Sequence, residues 1–355
     1  MLADNRFIGV KTSNFTKKGV SMFKKIFAVL ALIIFILAAS VACSRQVKAP
    51  RAGQAKIMEL VGLLPENTQG VFAWDVHRTL TTSAAQHSLE DKDIAAKIQE
   101  FKEKTGIDPA QDVYFIVGGM VATSDPEPLG VALINLRYDK EKILALMKEK
   151  TPEISETNYG QTKLYLLPRE KKPEPGLVFY DDSNIFIGES EAIKAVIDVC
   201  TKKARNITQN ADLNSLMKNS NTEAVFWSAL LLPAEVMAEL AKSNAMLTSL
   251  EHLRSLTMSF DYKNKNLLGE IKAMGTDESQ NRQIADLLTG MRAMGAMAVS
   301  KYPEVVEFFN RLDIASSAQA VRLIFTLPEE LLVKLGERMK QEAGPNLLKL
   351  PTKED

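Results

Sequence analysis

Hydrophobic residues along the chain alternate between short apolar runs and stretches with the spacing of an amphipathic helix. Gly70–Val76 is apolar, rich in Val, Phe and Trp, and too short for a helix, so it predicts a buried strand. From Ile94 to Phe101 the apolar residues share one helix face, and Gly106 and Pro109 end that pattern. The same criteria predict helices at Ile57–Leu64, Asp139–Lys150 and Glu191–Cys200. They predict strands at Val113–Gly119, Leu129–Tyr138, Glu153–Tyr159, Gln161–Pro168, Gly176–Tyr180 and Asn184–Glu189.

The second half of the chain repeats this order of elements. Ala224–Leu230 corresponds to the strand at Gly70–Val76, and Ser255–Gly275 corresponds to the first hairpin. A helix with Asp277 at its N-terminus corresponds to the helix that Asp139 begins, since both residues are good N-caps. These matches indicate an internal duplication.

Apolar and polar residues alternate along the second hairpin. Leu256, Met258 and Phe260 point to one side of a strand, and the polar residues between them point to the other. This alternation is typical of an antiparallel sheet with helices on one face and water on the other. The wet face is a candidate binding surface, and the polar residues expected on it are Thr257, Ser259, Asp261, Glu270, Lys272 and Arg322.

Together these patterns predict an α+β fold made of two related layers of mostly antiparallel sheet, with helices packed on one face. A last match pairs Gln319–Pro328 with Gln161–Pro168. We expect the first α+β repeat at residues 56–208 and the second at residues 209–355. The polar segment 43–55 has no periodicity and predicts a flexible tether before the first repeat.

The strongest compositional signal lies near the N-terminus, between Met22 and Ser44. Two lysines precede an apolar core at Ile26–Ala39, and small residues stand directly before Cys43. A positive segment, an apolar core and small residues in this order are the features of an export signal. We therefore predict a signal peptide over residues 1–42. Residues 1–21 carry no apolar run of their own and are interpreted as an extension from too early a start codon.

A cysteine directly after such a segment resembles the lipobox of bacterial lipoproteins. The resemblance implies fatty acylation of Cys43, as with palmitate, and Ser44 at the next position implies sorting to the outer membrane, facing the periplasm. Two other interpretations stay open. Ser40 and Ala42 equally suit the ordinary signal peptidase, which would release a soluble periplasmic protein. Ile26–Ala42 holds 17 residues, the lower length limit for an inner-membrane anchor.

Charge and cysteine content narrow the function classes. Of the 44 basic and 44 acidic residues, six basic and one acidic residue precede Cys43, which leaves a net charge of −5 on the mature chain. No long basic block is present, so nucleic acid is not an expected partner. Cys43 and Cys200 are the only cysteines, so stability is expected from packing rather than from disulfides. Cys200 shares a helix face with Ile193, Val196 and Ile197 and is interpreted as a core residue.

The catalytic motifs in the chain are incomplete. Ser215 and Lys218 have the S-x-x-K spacing of penicillin-binding enzymes, and Lys104–Gly106 reads K-T-G. In that family the serine motif comes first and S-D-N lies between, whereas here the order is reversed and S-D-N is missing. Gly118 and Gly119 are interpreted as a strand end rather than as a phosphate-binding loop. No catalytic residue is assigned.

No metal or cofactor is expected either. His77, His87 and His252 are too dispersed for a zinc motif. Asp181–Asn184 offers oxygen atoms at a turn but lacks the glycine and the distal glutamate of a calcium loop, so turn formation explains it better.

Two kinds of large side chain invite a functional interpretation. Met291, Met294 and Met297 lie among small residues in a predicted helix. We interpret them as core residues, with a groove for lipid or for a partner as the alternative. Trp74 and Trp227 fall in corresponding predicted strands and are expected to fill the two cores.

Two phrases resemble a group of uncharacterised exported bacterial proteins. Leu64–Val76 contains the L-P-x-x-T start of that group, and Thr105–Gly119 contains its T-G-x-D-P-x-x-D-V element. The resemblance implies an exported bacterial α+β protein and carries no catalytic residue.

The leading hypothesis is therefore a non-enzymatic, lipid-anchored cell-envelope protein that binds a protein partner or organises a complex. The alternative is a periplasmic carrier or chaperone that holds an apolar ligand between sheet and helices, lined by the helix of Met291–Met297. A hydrolase with an unrecognised site is the third hypothesis.

Overall fold

The computed structural model describes residues 52–123, 127–169, 173–243 and 245–343, and the structural statements below refer to these residues. The helices are α1 (Ala52–Val61), α2 (Val76–Leu80), α3 (Ser83–Leu89), α4 (Lys92–Thr105), α5 (Pro109–Asp112), α6 (Lys140–Lys150), α7 (Ser190–Cys200), α8 (Ala211–Lys218), α9 (Ala234–Ser243), α10 (Glu278–Ala298), α11 (Pro303–Asn310) and α12 (Glu329–Ala343). Short 3₁₀ helices occur at Ile207–Gln209 and Ala245–His252. The strands are β1 (Thr68–Asp75), β2 (Val113–Val121), β3 (Leu129–Leu136), β4 (Ser155–Tyr159), β5 (Thr162–Leu166), β6 (Pro175–Asp181), β7 (Asn184–Glu189), β8 (Phe226–Leu231), β9 (Leu253–Lys263), β10 (Asn266–Gly275), β11 (Asp313–Ser316) and β12 (Val321–Pro328).

All these strands form one antiparallel sheet in the order β11-β12-β10-β9-β8-β1-β2-β3-β7-β6-β5-β4. The predicted α+β fold with a mostly antiparallel sheet is confirmed. Each predicted strand overlaps a strand of the sheet. The predicted elements omit β11 and seven helices, which are α2, α3, α5, α8, α9, α11 and α12. Four or five residues, as in β11, α2 and α5, are too few to show a period.

The strand order repeats on the two sides of the central pair β1–β8. Outward from β1 the order is β2, β3, β7 and β6, and outward from β8 it is β9, β10, β12 and β11. In each half a helix follows the first hairpin, α6 after β3 and α10 after β10. Phe72 of β1 pairs with Ser228 of β8, so the two predicted layers join edge to edge in one sheet.

One predicted correspondence is wrong. Gln319–Pro328 contains β12, which lies beside β10, and the strand in the same place beside β3 is β7 rather than β5. The shared leucines and the closing proline thus reflect strand composition and not position. The first half carries an additional hairpin, β4–β5, beyond β6.

Helices cover both faces of the first half and mainly one face of the second. On the face that we call the α1 face, α1, α7 and α8 pack over a core that includes Leu60, Val71, Ile193 and Trp227. On the opposite face, which we call the α10 face, α6 packs on the first half. The helices α10 and α12 pack on the same face of the second half. Because α8 covers β8 and β9 on the other face, the predicted one-sided arrangement holds only in part.

The two tryptophans lie on opposite faces of the sheet. Trp227 is fully buried in the core of the α1 face, where its strand neighbour is Ala73. Trp74 is half-buried on the α10 face, and its indole N–H donates a hydrogen bond to Thr79 Oγ1 at 2.9 Å. The register therefore separates two residues that the sequence places in corresponding positions.

The first described helix begins earlier than the predicted repeat. α1 starts at Ala52, so the last four residues of the predicted tether are helical. Gln54 donates a hydrogen bond to Thr222 Oγ1 at 3.3 Å, and Gly53 lies against the ring of Phe115. None of the helices in the described ranges is both long and apolar enough to span a membrane.

Candidate functional site

The predicted lipidation residue, Cys43, lies outside the described residues, as does the whole predicted signal segment. Its acylation therefore stays a prediction. The described chain begins at Ala52, nine residues after Cys43.

The structure gives the K-T-G and S-x-x-K residues separate structural roles. Lys104 pairs with Glu100 one turn earlier on α4, and Thr105 Oγ1 donates a hydrogen bond to Phe101 O at 2.7 Å. Ser215 and Lys218 lie on α8, which packs on the α1 face of the second half. These contacts give the hydrolase hypothesis no support.

The histidines and the acidic turn also have structural surroundings. His77 Nδ1 lies 3.2 Å from Ala110 O, and His252 ends a 3₁₀ helix. Within the described ranges, no group of three or more His, Cys, Asp or Glu side chains could hold a metal ion. Asp181 Oδ1 accepts hydrogen bonds from Ser183 N at 2.8 Å and Asn184 Nδ2 at 2.9 Å, which is turn chemistry as interpreted above.

The surroundings shift the pKa values of Asp181 at this turn and of the partly buried Cys200 thiol. Burial alone would raise the pKa of Asp181, but the hydrogen bonds from Asn184 and Ser183 outweigh it and lower the pKa. Burial raises the pKa of the Cys200 thiol, and burial together with Cys200 raises the pKa of Tyr180 to about 12. Cys200 packs against the core of the α1 face, as expected for a structural cysteine.

The L-P-x-x-T phrase builds the entry into the central strand. Thr68 is fully buried, and its hydroxyl donates a hydrogen bond to Pro65 O at 2.6 Å. Leu64 is also fully buried, and a Cβ on Gly119 would lie 2.6 Å from its Cδ2. Gly119 and its neighbour Gly118, which lies under the ring of Phe72, therefore serve close packing within β2.

The T-G-x-D-P-x-x-D phrase builds the turn from α4 into α5. Gly106 has a φ of +76°, which favours glycine at the end of a helix. Asp108 caps α5 by accepting a hydrogen bond from Ala110 N at 3.1 Å. Asp112 accepts a hydrogen bond from Asp108 N at 2.8 Å and pairs with Arg137 at 2.5 Å. Both phrases are thus explained by folding, without a ligand.

The predicted wet face lies on the α1 face of the second half, and half of it is buried. Ser259 and Thr257 of β9 are buried because α8 packs over β8 and β9. Glu270 of β10 pairs with Arg322 of β12 and, at 3.3 Å, with Lys272. Burial would raise the pKa of Glu270, but these two cations outweigh it and lower the pKa. The charged side chains of this face therefore form ion pairs with one another.

A partly buried polar cluster joins the two halves beside the C-terminal end of β1. Arg78 on α2 contacts Asp261 of β9 at 2.5 Å and donates a hydrogen bond to Glu223 O at 2.9 Å. Asp261 is buried and also pairs with Lys263 at 2.6 Å. Next to them, Asp75 Oδ1 accepts a hydrogen bond from Arg78 N at 2.8 Å. Burial, opposed by the Arg78 interactions, raises the pKa of Asp75.

A second polar contact between the halves involves a serine, a tyrosine and a glutamate. Ser83 Oγ donates a hydrogen bond to the buried carboxylate of Glu329 at 2.7 Å and lies 3.0 Å from Tyr262 Oη. Tyr262 donates to the same carboxylate. Burial, followed by the hydrogen bond to Glu329, raises the pKa of Tyr262 far above its ordinary value, so the phenol remains a donor. These three groups connect the two halves, and we assign them a structural rather than a catalytic role.

The methionines of α10 are on the surface. Met291, Met294 and Met297 are 43%, 49% and 76% exposed, so the core interpretation is wrong. The reason lies in the helix itself: Ile284 and Ala285 bury its N-terminal half against the sheet, while the methionines follow in the half that extends beyond them.

This half of α10 is anchored by contacts with α11 and with Leu312. A Cβ on Gly295 would lie 2.7 Å from the Phe309 ring of α11, so the two helices approach closely there. Arg292 Nη1 donates a hydrogen bond to Leu312 O at 2.7 Å. The helix is therefore held in place with its methionines toward solvent, and they do not line the enclosed groove of the carrier hypothesis.

An open pocket of about 510 Å³ lies between β4, at one edge of the sheet, and the first turn of α7. Polar, apolar and charged groups share its wall, which includes Thr157, Tyr159, Leu166, Pro173, Glu191 and Lys194. Glu191 and Lys194 form an ion pair at 2.7 Å. Such a mixed, open wall suits a protein segment better than a buried apolar ligand.

Comparisons with known proteins give weak similarities. No family model matches the chain, and no curated protein matches it. Among solved structures, crystal form I of TP0453 is 8% identical, with a TM-score of 0.42 over 80% of this chain and 98% of that chain. Crystal form III of TP0453 is 10% identical, with a TM-score of 0.43 over 78% of this chain and 97% of that chain. Nothing about function follows from these similarities.

Proposed function

We propose that the protein is a non-enzymatic, lipid-anchored protein of the cell envelope that binds a protein partner. The export signal and the cysteine after it support this location, with acyl chains on Cys43 holding the protein at the outer membrane, facing the periplasm. Each buried methylene contributes about 0.8 kcal/mol, so two or three chains anchor a protein without further contact with lipid. The folded body is then free to bind a partner.

The observation that carries the binding role is the exposed methionine surface of α10, which consists of Met291, Met294 and Met297. Neighbouring exposed apolar side chains mark interaction sites more often than isolated ones do. Methionine side chains adapt to irregular partner surfaces. The anchoring of Gly295 against Phe309 holds the surface in a fixed orientation, which lowers the entropy lost on binding.

The anchor is tested by mass spectrometry of the protein purified from its native membrane. We expect the mature N-terminus at Cys43 with two or three acyl chains, and a Cys43→Ser variant that loses the membrane fraction. An unmodified Cys43 on a protein recovered from the periplasm would contradict the anchor but leave the binding role in place.

The binding role is tested by a photo-crosslinking amino acid at position 294 in intact cells. Position 58 on α1 is a matched control, because Met58 is 39% exposed and Met294 is 49% exposed. We expect a defined crosslinked protein from position 294 that position 58 does not give. A Met291→Ser, Met297→Ser background should weaken that crosslink. Equal crosslinking from both positions, or none from 294, would contradict the proposed surface.

A further inference from the structure

The sheet has two edges, β11 and β4, and they differ in how they are covered. β11 has four residues, and α10 packs along it. β4 has five residues, each paired with β5 in unbroken register, and its one extensive contact among the described elements is with β5. Ser155 through Asn158 are exposed. The outer side of β4 therefore presents a regular row of backbone donors and acceptors.

β4 is short and carries one charge, but it lacks three other features that usually block an edge strand. Its sequence, SETNY, contains no proline and no lysine, and its pairing with β5 shows no bulge. Its one charged residue, Glu156, pairs with Lys148 at 3.3 Å and with Lys163 at 3.0 Å, and these two cations lower the pKa of Glu156. An incoming strand would meet a charge that is already neutralised.

The pocket between β4 and α7 adds side-chain recognition to this edge. Thr157 and Tyr159 point to the α1 face, because Leu164 and Leu166 of β5 lie there and alternate residues share a face. Tyr159 Oη donates a hydrogen bond to Asp198 Oδ2 at 2.9 Å, and Lys194 and Lys203 each lie 5.9 Å from the ring centre. The ring is thus fixed as one wall of the pocket.

We propose that β4 adds an extended segment of another protein as a thirteenth strand, with one apolar side chain of that segment in the pocket. Main-chain hydrogen bonds to β4 would give the affinity, and the pocket would give the specificity. Leu166 and Pro173 in the wall and the ring of Tyr159 favour an apolar or aromatic side chain at that position. This site is separate from the methionine surface of α10 and does not depend on the lipid anchor.

The test uses the full chain in detergent micelles and peptides of nine residues that alternate Thr and Val. One peptide carries Phe at its central position and its control carries Ala. We expect the Phe peptide to bind about tenfold more tightly by fluorescence polarisation, because the ring enters the pocket. Amide hydrogen exchange should slow at residues 155–159. Slower exchange at 313–316 instead, or equal affinity for both peptides, would overturn the proposal.

Two proline variants separate binding from folding. Adjacent residues in a strand direct their N–H groups to opposite edges, so either Thr157→Pro or Asn158→Pro removes a donor of the free edge alone. The variant that loses a donor of the free edge should keep the Tm of the wild type and bind the peptide at least tenfold more weakly. The variant that loses a donor to β5 should have a lower Tm. A variant with unchanged Tm and unchanged affinity would contradict strand addition. Self-association through β4 in the absence of peptide would contradict the assignment to another protein.

Discussion

The two halves of the sheet share a strand order but differ in what covers their α1 face. In the first half Val117, Leu133 and Phe186 are fully buried on that face, under α1 and α7. In the second half the strands in the same places carry Lys272 and Arg322, and water reaches them. The helix that ends each half packs in accordance with this difference. In the first half α7 lies on the α1 face, whereas in the second half α12 lies on the α10 face. Side-chain polarity, and not strand order, decides which face a helix covers.

The largest expected effect tests this difference in energy. Leu133→Ala removes a fully buried side chain from the first half and should cost about 2–5 kcal/mol of unfolding free energy. Lys272→Ala, in the second half, removes a partly exposed ion pair and should cost less than about 1 kcal/mol. Urea denaturation of both variants measures the two costs. Equal losses would mean that the polar face contributes as much stability as the apolar one.

A smaller effect tests how the two halves are joined. Arg78→Met removes a cation from buried Asp261, and we expect a loss of about 2–3 kcal/mol, below the value for a fully buried pair because the Arg78 side chain is 30% exposed. Asp261→Asn in the same background should add little, since Arg78 is already absent and the remaining partner, Lys263, is an exposed cation. A double-mutant cycle from thermal or urea unfolding gives the coupling. Strictly additive losses would show that this contact does not join the halves.

Sequence patterns predicted the strands better than the surfaces between them. Alternation in Leu256–Asp261 correctly separated two faces, because side-chain direction in a strand is local. The same pattern could not show that α8 would bury Thr257 and Ser259, since that contact depends on how distant segments pack. The contact between Ser83 and Glu329 spans 246 positions and has no sequence signal.

The methionines of α10 also show that a local pattern does not reveal what packs on a face. Their helical spacing was recognised, but spacing predicts only that apolar residues share a face, and not that another element covers it. The L-P-x-x-T and T-G-x-D-P phrases were noticed as a resemblance, and their roles in a strand entry and a helix turn came from hydrogen bonds such as Thr68 to Pro65. The binding edge at β4 depends on sheet order, which a chain of predicted strands does not specify.

The smallest expected effect compares two carboxylates whose pKa values shift in opposite directions. Burial raises the pKa of Asp75 above 3.8, so its charged form is disfavoured in the folded protein. The pKa of Glu270 is lowered below 4.5 by Arg322 and Lys272, in spite of burial, so its charged form is favoured. Asp75 therefore lowers stability as pH rises through the window from 3.8 to its raised value. Glu270 contributes stability above pH 4.5 that is lost as pH falls through its lowered value.

Replacing each carboxylate by its amide removes its titration, so each pKa shift can be measured as a change in stability with pH relative to the wild type. Relative to the wild type, Asp75→Asn should become more stable as pH rises from 3 to 7, because the amide keeps the cap on Arg78 N without a buried charge. Glu270→Gln should become less stable over the same range, because Arg322 and Lys272 lose their partner. Urea midpoints at several pH values measure both slopes. The stability of each variant relative to the wild type should therefore change in opposite directions with pH. If both changed in the same direction, burial would not dominate at Asp75, or ion pairing would not dominate at Glu270.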